Sequence, residues 1–133
     1  MAEQLIIAGE RTDAADGAPF TVTEPATGRP LAEVAKAGTA DVHRALAAAN
    51  AAFADGRGAW ARPSATERGR VLHRVAELLR EREDLLATAE ARGAGHPIGS
   101  ARWEVGAAAG TFGHYAGAAN KHLGAVVPVQ DPG

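Results

Sequence analysis

The sequence predicts an α/β chain, α+β within this segment, with a β-hairpin region over residues 5–37 followed by three α-helices. Three observations predict it. β-forming residues and turn signals crowd the first 37 positions. Apolar residues then recur at helical spacing from Thr39 onward. Alanine, the strongest helix former, accounts for 33 of the 133 residues.

The elements follow in order. Leu5-Ile6-Ile7 is a short strand, and Gly9 and the run Asp13-Ala14-Ala15-Asp16-Gly17 mark turns. Phe20-Thr21-Val22-Thr23 is rich in β-formers. Glu24-Pro25-Ala26-Thr27-Gly28 follows, with Pro suited to an early turn position and Gly to a left-handed one. Leu31 to Ala37 returns as the second strand of the hairpin. A helix over 39–55 is expected next. Thr39 is its expected N-cap, Asp41 lies in its first turn, and Val42, Leu46, Ala49 and Phe53 form one stripe. Gly56 ends it.

Ser64-Ala65-Thr66-Glu67 is a capping box that opens a helix over 64–92. Its core stripe is Val71/Leu72, Val75, Leu78/Leu79, Arg82 and Leu85/Leu86. Arg74, Glu77, Arg80 and Glu83 form a ladder of opposed charges on the solvated side. Gly93, Gly95 and Pro97 interrupt the pattern, and the third helix spans 98–123 with a stripe of Val105, Ala109, Phe112, Ala116, Ala119 and Leu123. On another face Gly106, Gly110, Gly113 and Gly117 form a row. Each interior glycine costs about 1 kcal/mol relative to alanine, so the row predicts an element packed close from outside the segment. Residues 124–133 read as an extended tail, and 1–133 as one incomplete domain.

Composition narrows the function. There is no cysteine, which excludes a disulfide scaffold, a thiolate zinc site, an iron–sulfur cluster and a cysteine nucleophile. The formal charge of −2 lacks the basic excess of a nucleic-acid or anionic-membrane surface. The N-terminus has no basic leader. The weakly apolar tract Val105 to Ala119 carries His114 and four glycines and falls short of a membrane span. The reading is cytoplasmic and soluble. Leu, Ile, Val and Phe together number only 24, so the core is thin and marginal stability is expected in isolation.

Few residues suggest chemistry by themselves. Gly56-Arg57-Gly58-Ala59-Trp60-Ala61 matches G-x-G-x-x-G/A, but it follows a helix rather than a strand and Pro63 soon closes it, so the match is read as accidental. Histidines stand at 43, 73, 96, 114 and 122, with no pair at the spacing of a helical zinc site. Ser64 and Ser100 lie at helix starts and are explained by capping, while Trp60 and Trp103 are most simply packing residues.

Read together, the residues resemble the N-terminal part of the NAD(P)-dependent aldehyde dehydrogenase superfamily. Ile7-Ala8-Gly9-Glu10 is similar to its "I-x-G-E" opening, and Glu24-Pro25-Ala26-Thr27-Gly28 to its "N-P-A-T-G" turn. Asp41-Val42, Ala47-Ala48-Ala49, Ala52-Phe53, Trp60, Arg68 and Leu72 continue the pattern. Glu90, Gly95 and Pro97 fall on "E-T-L-D-x-G-K-P", and Tyr115-Ala116-Gly117 on "Y-Y-A-G".

The resemblance implies the opening part of a cofactor-binding domain. It also implies an enzyme that uses NAD or NADP to oxidise an aldehyde through a Cys thiolate, with a Glu activating water. None of those parts maps onto residues 1–133, so no catalytic residue, no cofactor bound by this chain alone and no metal are expected. Trp103 and Ala107 are implied to face the substrate tunnel, beside the simpler reading that Trp103 packs. A cation site of some members would use the Thr23 carbonyl, but its Asp position is Gly93 here. Glu24, His96, Gly113 and His114 also depart from the pattern. The expected partner is the remainder of an aldehyde dehydrogenase chain or a homologous subunit, in an oligomer. The alternative is a non-enzymatic helical module acting on a larger dehydrogenase, or a truncated gene product.

Overall fold

The structure is a computed structural model that describes residues 3–121 and Gly124. It comprises two small antiparallel hairpins followed by four helices. Strand β1 (Leu5–Ile7) pairs with β2 (Glu10–Thr12), and β3 (Pro19–Glu24) pairs with β4 (Arg29–Ala35).

The single expected hairpin is therefore two. Strand β2 is Glu-Arg-Thr and carries no apolar alternation to announce it. What makes it is the turn. Ala8 and Gly9 take φ of 56° and 83°, a two-residue connection with both residues left-handed, whose twist matches that of paired strands. The second turn conforms to expectation. The N–H of Gly28 donates to the Glu24 carbonyl at 2.9 Å with Gly28 at φ 67°. The hairpins are joined through Glu3, whose N–H donates to the Glu33 carbonyl and whose carbonyl accepts from Ala35, both at 2.8 Å.

Helix α1 spans Thr39–Phe53, and its N-cap is Gly38, one residue before the expected Thr39. The reason is Asp41. Its carboxylate accepts the Gly38 N–H at 2.9 Å, the Ala15 N–H at 3.1 Å, and a 2.6 Å bond from Arg44. This side chain, on a residue only 2% exposed, ties the helix start to the loop after β2. The Gly38 bond, then Arg44, hold its carboxyl below the usual range against an opposing effect of burial. Helix α1 runs into a 3-10 turn at Ala54–Gly56.

The expected helix over 64–92 is two helices, α2 (Ala65–Glu81) and α3 (Glu83–Ala94). Its opening is as expected: Ser64 Oγ accepts the Glu67 N–H at 3.3 Å and Glu67 accepts the Ser64 N–H at 2.7 Å. The break falls at Arg82 (φ −115°, ψ 20°), where Glu83 and Asp84 supply the acidic first turn of a new helix. Asp84 is also bound by Arg102, at 3.0 and 3.2 Å, which holds the start of α3 to the last helix. Past the break the expected stripe continues through half-buried Leu86 beside buried Ala87, while Leu85 turns out to solvent.

Helix α4 (Ile98–Ala118) packs on α2 and α3. Helices α2 and α4 approach most tightly at Gly69, where a Cβ would lie 2.8 Å from the Ala116 carbonyl oxygen. Leu123 of the expected stripe and the 124–133 tail, except Gly124, lie outside the described residues. The fully buried apolar positions of the helices are Ala76, Ala87, Ala101 and Ala109. The thin core is thus an alanine seam, along which short side chains let helices come close but remove little apolar area from water.

Candidate functional site

The sequence points to the outer side of α4. Trp103 and Ala107, one turn apart, are both exposed and share one face, and Trp103 is 73% exposed. The packed face of the helix carries Ala101, Val105, Ala109 and Ala116. Gly106, Gly110, Gly113 and Gly117 each have open space where a Cβ would stand. No described element of this chain supports the glycine row. Tyr115, also exposed, meets His114 edge-on with ring centroids 5.2 Å apart.

The second region is the junction of the β3–β4 turn with the C-terminus of α3. Gly95 ends α3 at φ 79°, and a Cβ there would lie 3.2 Å from Pro25. Arg92 Nε donates to Glu24 Oε1 at 2.8 Å, and Thr27 donates to Oε2 of the same carboxylate at 2.7 Å. The Arg92 bond, then Thr27, hold the Glu24 carboxyl below its ordinary range. The positive charge at this junction is thus a guanidinium of the chain itself. Gly93 has no side-chain carboxylate to offer, so the residues present lack the charged ligand of the cation site that the resemblance implies for some members.

A third grouping has no periodic signal in the sequence. Glu90 of α3, His96 of the α3–α4 link and Glu104 of α4 converge, with Nδ1 of His96 3.0 Å from Glu104 and 3.8 Å from Glu90. A helix break separates them in sequence, so no periodic spacing marks them. Both carboxylates lie against the same ring nitrogen, and Glu90 and His96 are exposed.

The glycine motif at 56–61 is folded back onto the end of α1. Its N–H groups are used by the end of α1: Gly58 donates to the Phe53 carbonyl and Trp60 to that of Ala52, both at 2.9 Å. A Cβ on Gly58 would lie 2.1 Å from the Ala52 oxygen, so this glycine is required by the chain's return over its own helix. Arg68 closes the same loop from α2, donating to the Pro63 carbonyl at 2.5 Å.

The sequence profile of the aldehyde dehydrogenase family matches residues 12–133. This chain belongs to the aldehyde dehydrogenase family. Among solved structures, it is similar to a Burkholderia cenocepacia protein classed as an aldehyde dehydrogenase. The identity is 42% and the TM-score 0.89, over 96% of this chain and 26% of that one. It is similar to PnpE, solved with nicotinamide adenine dinucleotide, at 38% identity and a TM-score of 0.88, over 98% and 26% of the two chains. An NAD-dependent aldehyde dehydrogenase from Sinorhizobium meliloti matches at 34% identity and a TM-score of 0.85, over 92% and 24%. The chain spans about a quarter of the length of these aldehyde dehydrogenase structures. Its two hairpins and four helices are the family's opening segment. Among the described residues no helix is long and apolar enough to cross a membrane.

Proposed function

We propose that this chain supplies the opening segment of an NAD(P)-dependent aldehyde dehydrogenase and turns over no aldehyde by itself. The observation that carries the reading is the combination of family membership with the absence of cysteine. Covalent aldehyde oxidation needs a nucleophile whose thiolate is accessible, a positioned base, and donors at the developing oxyanion. It also needs a nicotinamide held against the reacting carbon. These 133 residues offer no thiol, and the glycine motif at 56–61 is spent on a helix terminus.

In this reading the outward face of α4 does the segment's functional work. Trp103 and Ala107 form part of the wall of the aldehyde entrance once the rest of the enzyme lies over that face. A large aromatic followed one turn later by a methyl group would set the width and polarity of the passage. The polypeptide that completes the enzyme is either the continuation of this chain or a homologous subunit. The enzyme works in the cytoplasm.

The test is direct. Purified chain incubated with NAD+ or NADP+ and a panel of aldehydes gives no reduced cofactor above buffer. Aldehyde-dependent reduction contradicts the reading. A second reading, a non-enzymatic module that occupies the N-terminal position of a larger dehydrogenase, is favoured by the open glycine row of α4. It predicts that the chain changes the activity of a full-length relative without becoming part of its polypeptide.

A further inference from the structure

Glu90, His96 and Glu104 come from α3, from the link Gly95-His96-Pro97 and from α4. The link is constrained on both sides of the histidine. Gly95 caps α3 in the left-handed conformation, and its N–H donates to the Ala91 carbonyl at 3.1 Å. Pro97, at φ −58°, is the N-cap of α4, and its carbonyl accepts the Ala101 N–H at 3.0 Å. Two helix ends therefore present His96, and each carboxylate stands on a helix of its own.

The polar balance of this cluster does not close with protein groups. His96 Nδ1 lies 3.0 Å from Glu104 Oε2 and 3.8 Å from Glu90 Oε1. A ring nitrogen carries at most one hydrogen, which satisfies the nearer carboxylate and leaves the other beyond hydrogen-bond distance. Among the described residues the ion pairs of Glu90 and Glu104 run only to His96. The guanidiniums next along the same helices are engaged elsewhere, Arg92 with Glu24 and Arg102 with Asp84.

We propose that Glu90, His96 and Glu104 bind one divalent transition-metal ion of the zinc class, through Nδ1 of His96 and one oxygen of each carboxylate. Bonds of about 2.0–2.2 Å set the ligand atoms of a tetrahedral zinc about 3.3 Å apart. The separations of 3.0 and 3.8 Å straddle that spacing. One ligand atom from each of the three residues lies within 4.8 Å of the other two, and rotation of the exposed Glu90 side chain closes the remainder. The ion supplies to both carboxylates the positive charge that one hydrogen can bring to only one, and water takes its fourth position. The imidazole selects against magnesium and calcium, which take oxygen ligands in larger number. All three ligands belong to this chain, and none is shared with the Thr23 and Gly93 positions considered above. Bound there, the ion clips α3 to α4 across their link.

The experiment titrates the chain, stripped with EDTA and dialysed, with ZnCl2 in a calorimeter and follows its melting in parallel. One equivalent of Zn2+ is expected to bind. The melting temperature is expected to rise by more than about 5 °C once free zinc exceeds the dissociation constant about a hundredfold. EDTA reverses the rise, and MgCl2 at the same concentration does not produce it. Two variants locate the ion. His96→Lys keeps a positive charge between the carboxylates, and so the metal-free fold, but its ammonium has no lone pair to donate. Glu104→Gln removes the charge of one ligand. Loss even of a group that only orients a ligand costs about 10–100-fold in metal affinity, so each variant should lose at least about tenfold. His73→Ala, which removes the other histidine lying against a glutamate, Glu77 at 3.6 Å, should bind zinc as the parent does. Absence of zinc binding, an equal response to magnesium, or binding that survives His96→Lys and disappears in His73→Ala overturns the site.

Discussion

Arg92 reaches across 68 positions of sequence to donate a 2.8 Å hydrogen bond to Glu24, fastening the end of α3 to the turn between β3 and β4. In the family pattern the Glu24 position is Asn, so this chain has placed a carboxylate and a guanidinium where the turn meets the helices. Arg92→Gln removes the charge and leaves Glu24, whose side chain is largely covered, without its main partner. The expected result is a fall of a few degrees in melting temperature, with Glu24→Gln in the Arg92→Gln background adding little. A double-mutant cycle with no coupling contradicts this fastening.

Acid sensitivity follows from the same carboxylates. The Arg92 and Thr27 bonds lower the Glu24 pKa from its ordinary 4.5, and the Gly38 and Arg44 bonds lower that of Asp41 from 3.8. For a lowered carboxylate, the stabilisation is fully present above the unfolded-state pKa and is lost as pH falls through the folded value. Stability should therefore be flat from neutral pH down to the mid-fours and decline below that. Asp41→Asn should lower the neutral-pH melting temperature by several degrees and flatten the acid limb. Thermal scans from pH 3 to 7 check both, and an unchanged acid limb would count against the Asp41 network.

Glycines in these helices divide into two classes with opposite expected outcomes. At Gly69 a methyl group would press on the Ala116 carbonyl oxygen at 2.8 Å. Overpacking of about 1–3 kcal/mol there outweighs the gain of about 1 kcal/mol in helix propensity, so Gly69→Ala should destabilise. Gly106→Ala and Gly110→Ala meet open space and should each stabilise the isolated chain by up to about 1 kcal/mol. Urea titrations read the signs. A destabilising Gly106→Ala would mean that the row is packed within this chain.

Backbone strain at the first turn gives a further expectation. Ala8 sits at φ 56°, a conformation that costs a residue with a Cβ about 1–2 kcal/mol relative to glycine. Ala8→Gly should stabilise the β1–β2 hairpin, read as slower amide exchange at Thr12 and Ile7. Faster exchange would show that the turn does not govern the pairing.

Much of this fold is legible in the sequence because local signals and global packing agree. Ser64 and Glu67 form the capping box that their spacing announces. Leu72, Val75, Leu78 and Leu79 of the expected stripe are half-buried while Val71 and Arg82 are exposed, and Gly28 and Gly95 take the left-handed conformations that end their elements. The misreadings have physical causes. The break at Arg82 lies in a run of good helix formers, so no local propensity encodes it; just beyond it Asp84 pairs with Arg102 of α4. Strand β2 is three polar residues made by a turn. The Glu90–His96–Glu104 grouping spans two helices and a link, so spacing cannot reveal it. Trp103 and Ala107, brought together by the family resemblance rather than by periodicity, lie exposed one turn apart on α4.

The segment has the architecture of the aldehyde dehydrogenase family, and Val42, Leu46, Phe53 and Trp103 are exposed on its surface. Ordering the chain costs about 1–2 kcal/mol per residue in backbone entropy, and a seam of alanines sets little buried area against that. Differential scanning calorimetry of the isolated chain measures the balance most directly. A broad, low-enthalpy transition at or below about 45 °C, the lower edge of the mesophile range, is the predicted result. A sharp two-state transition of a monomer above about 65 °C, with the full enthalpy expected for its length, would contradict it.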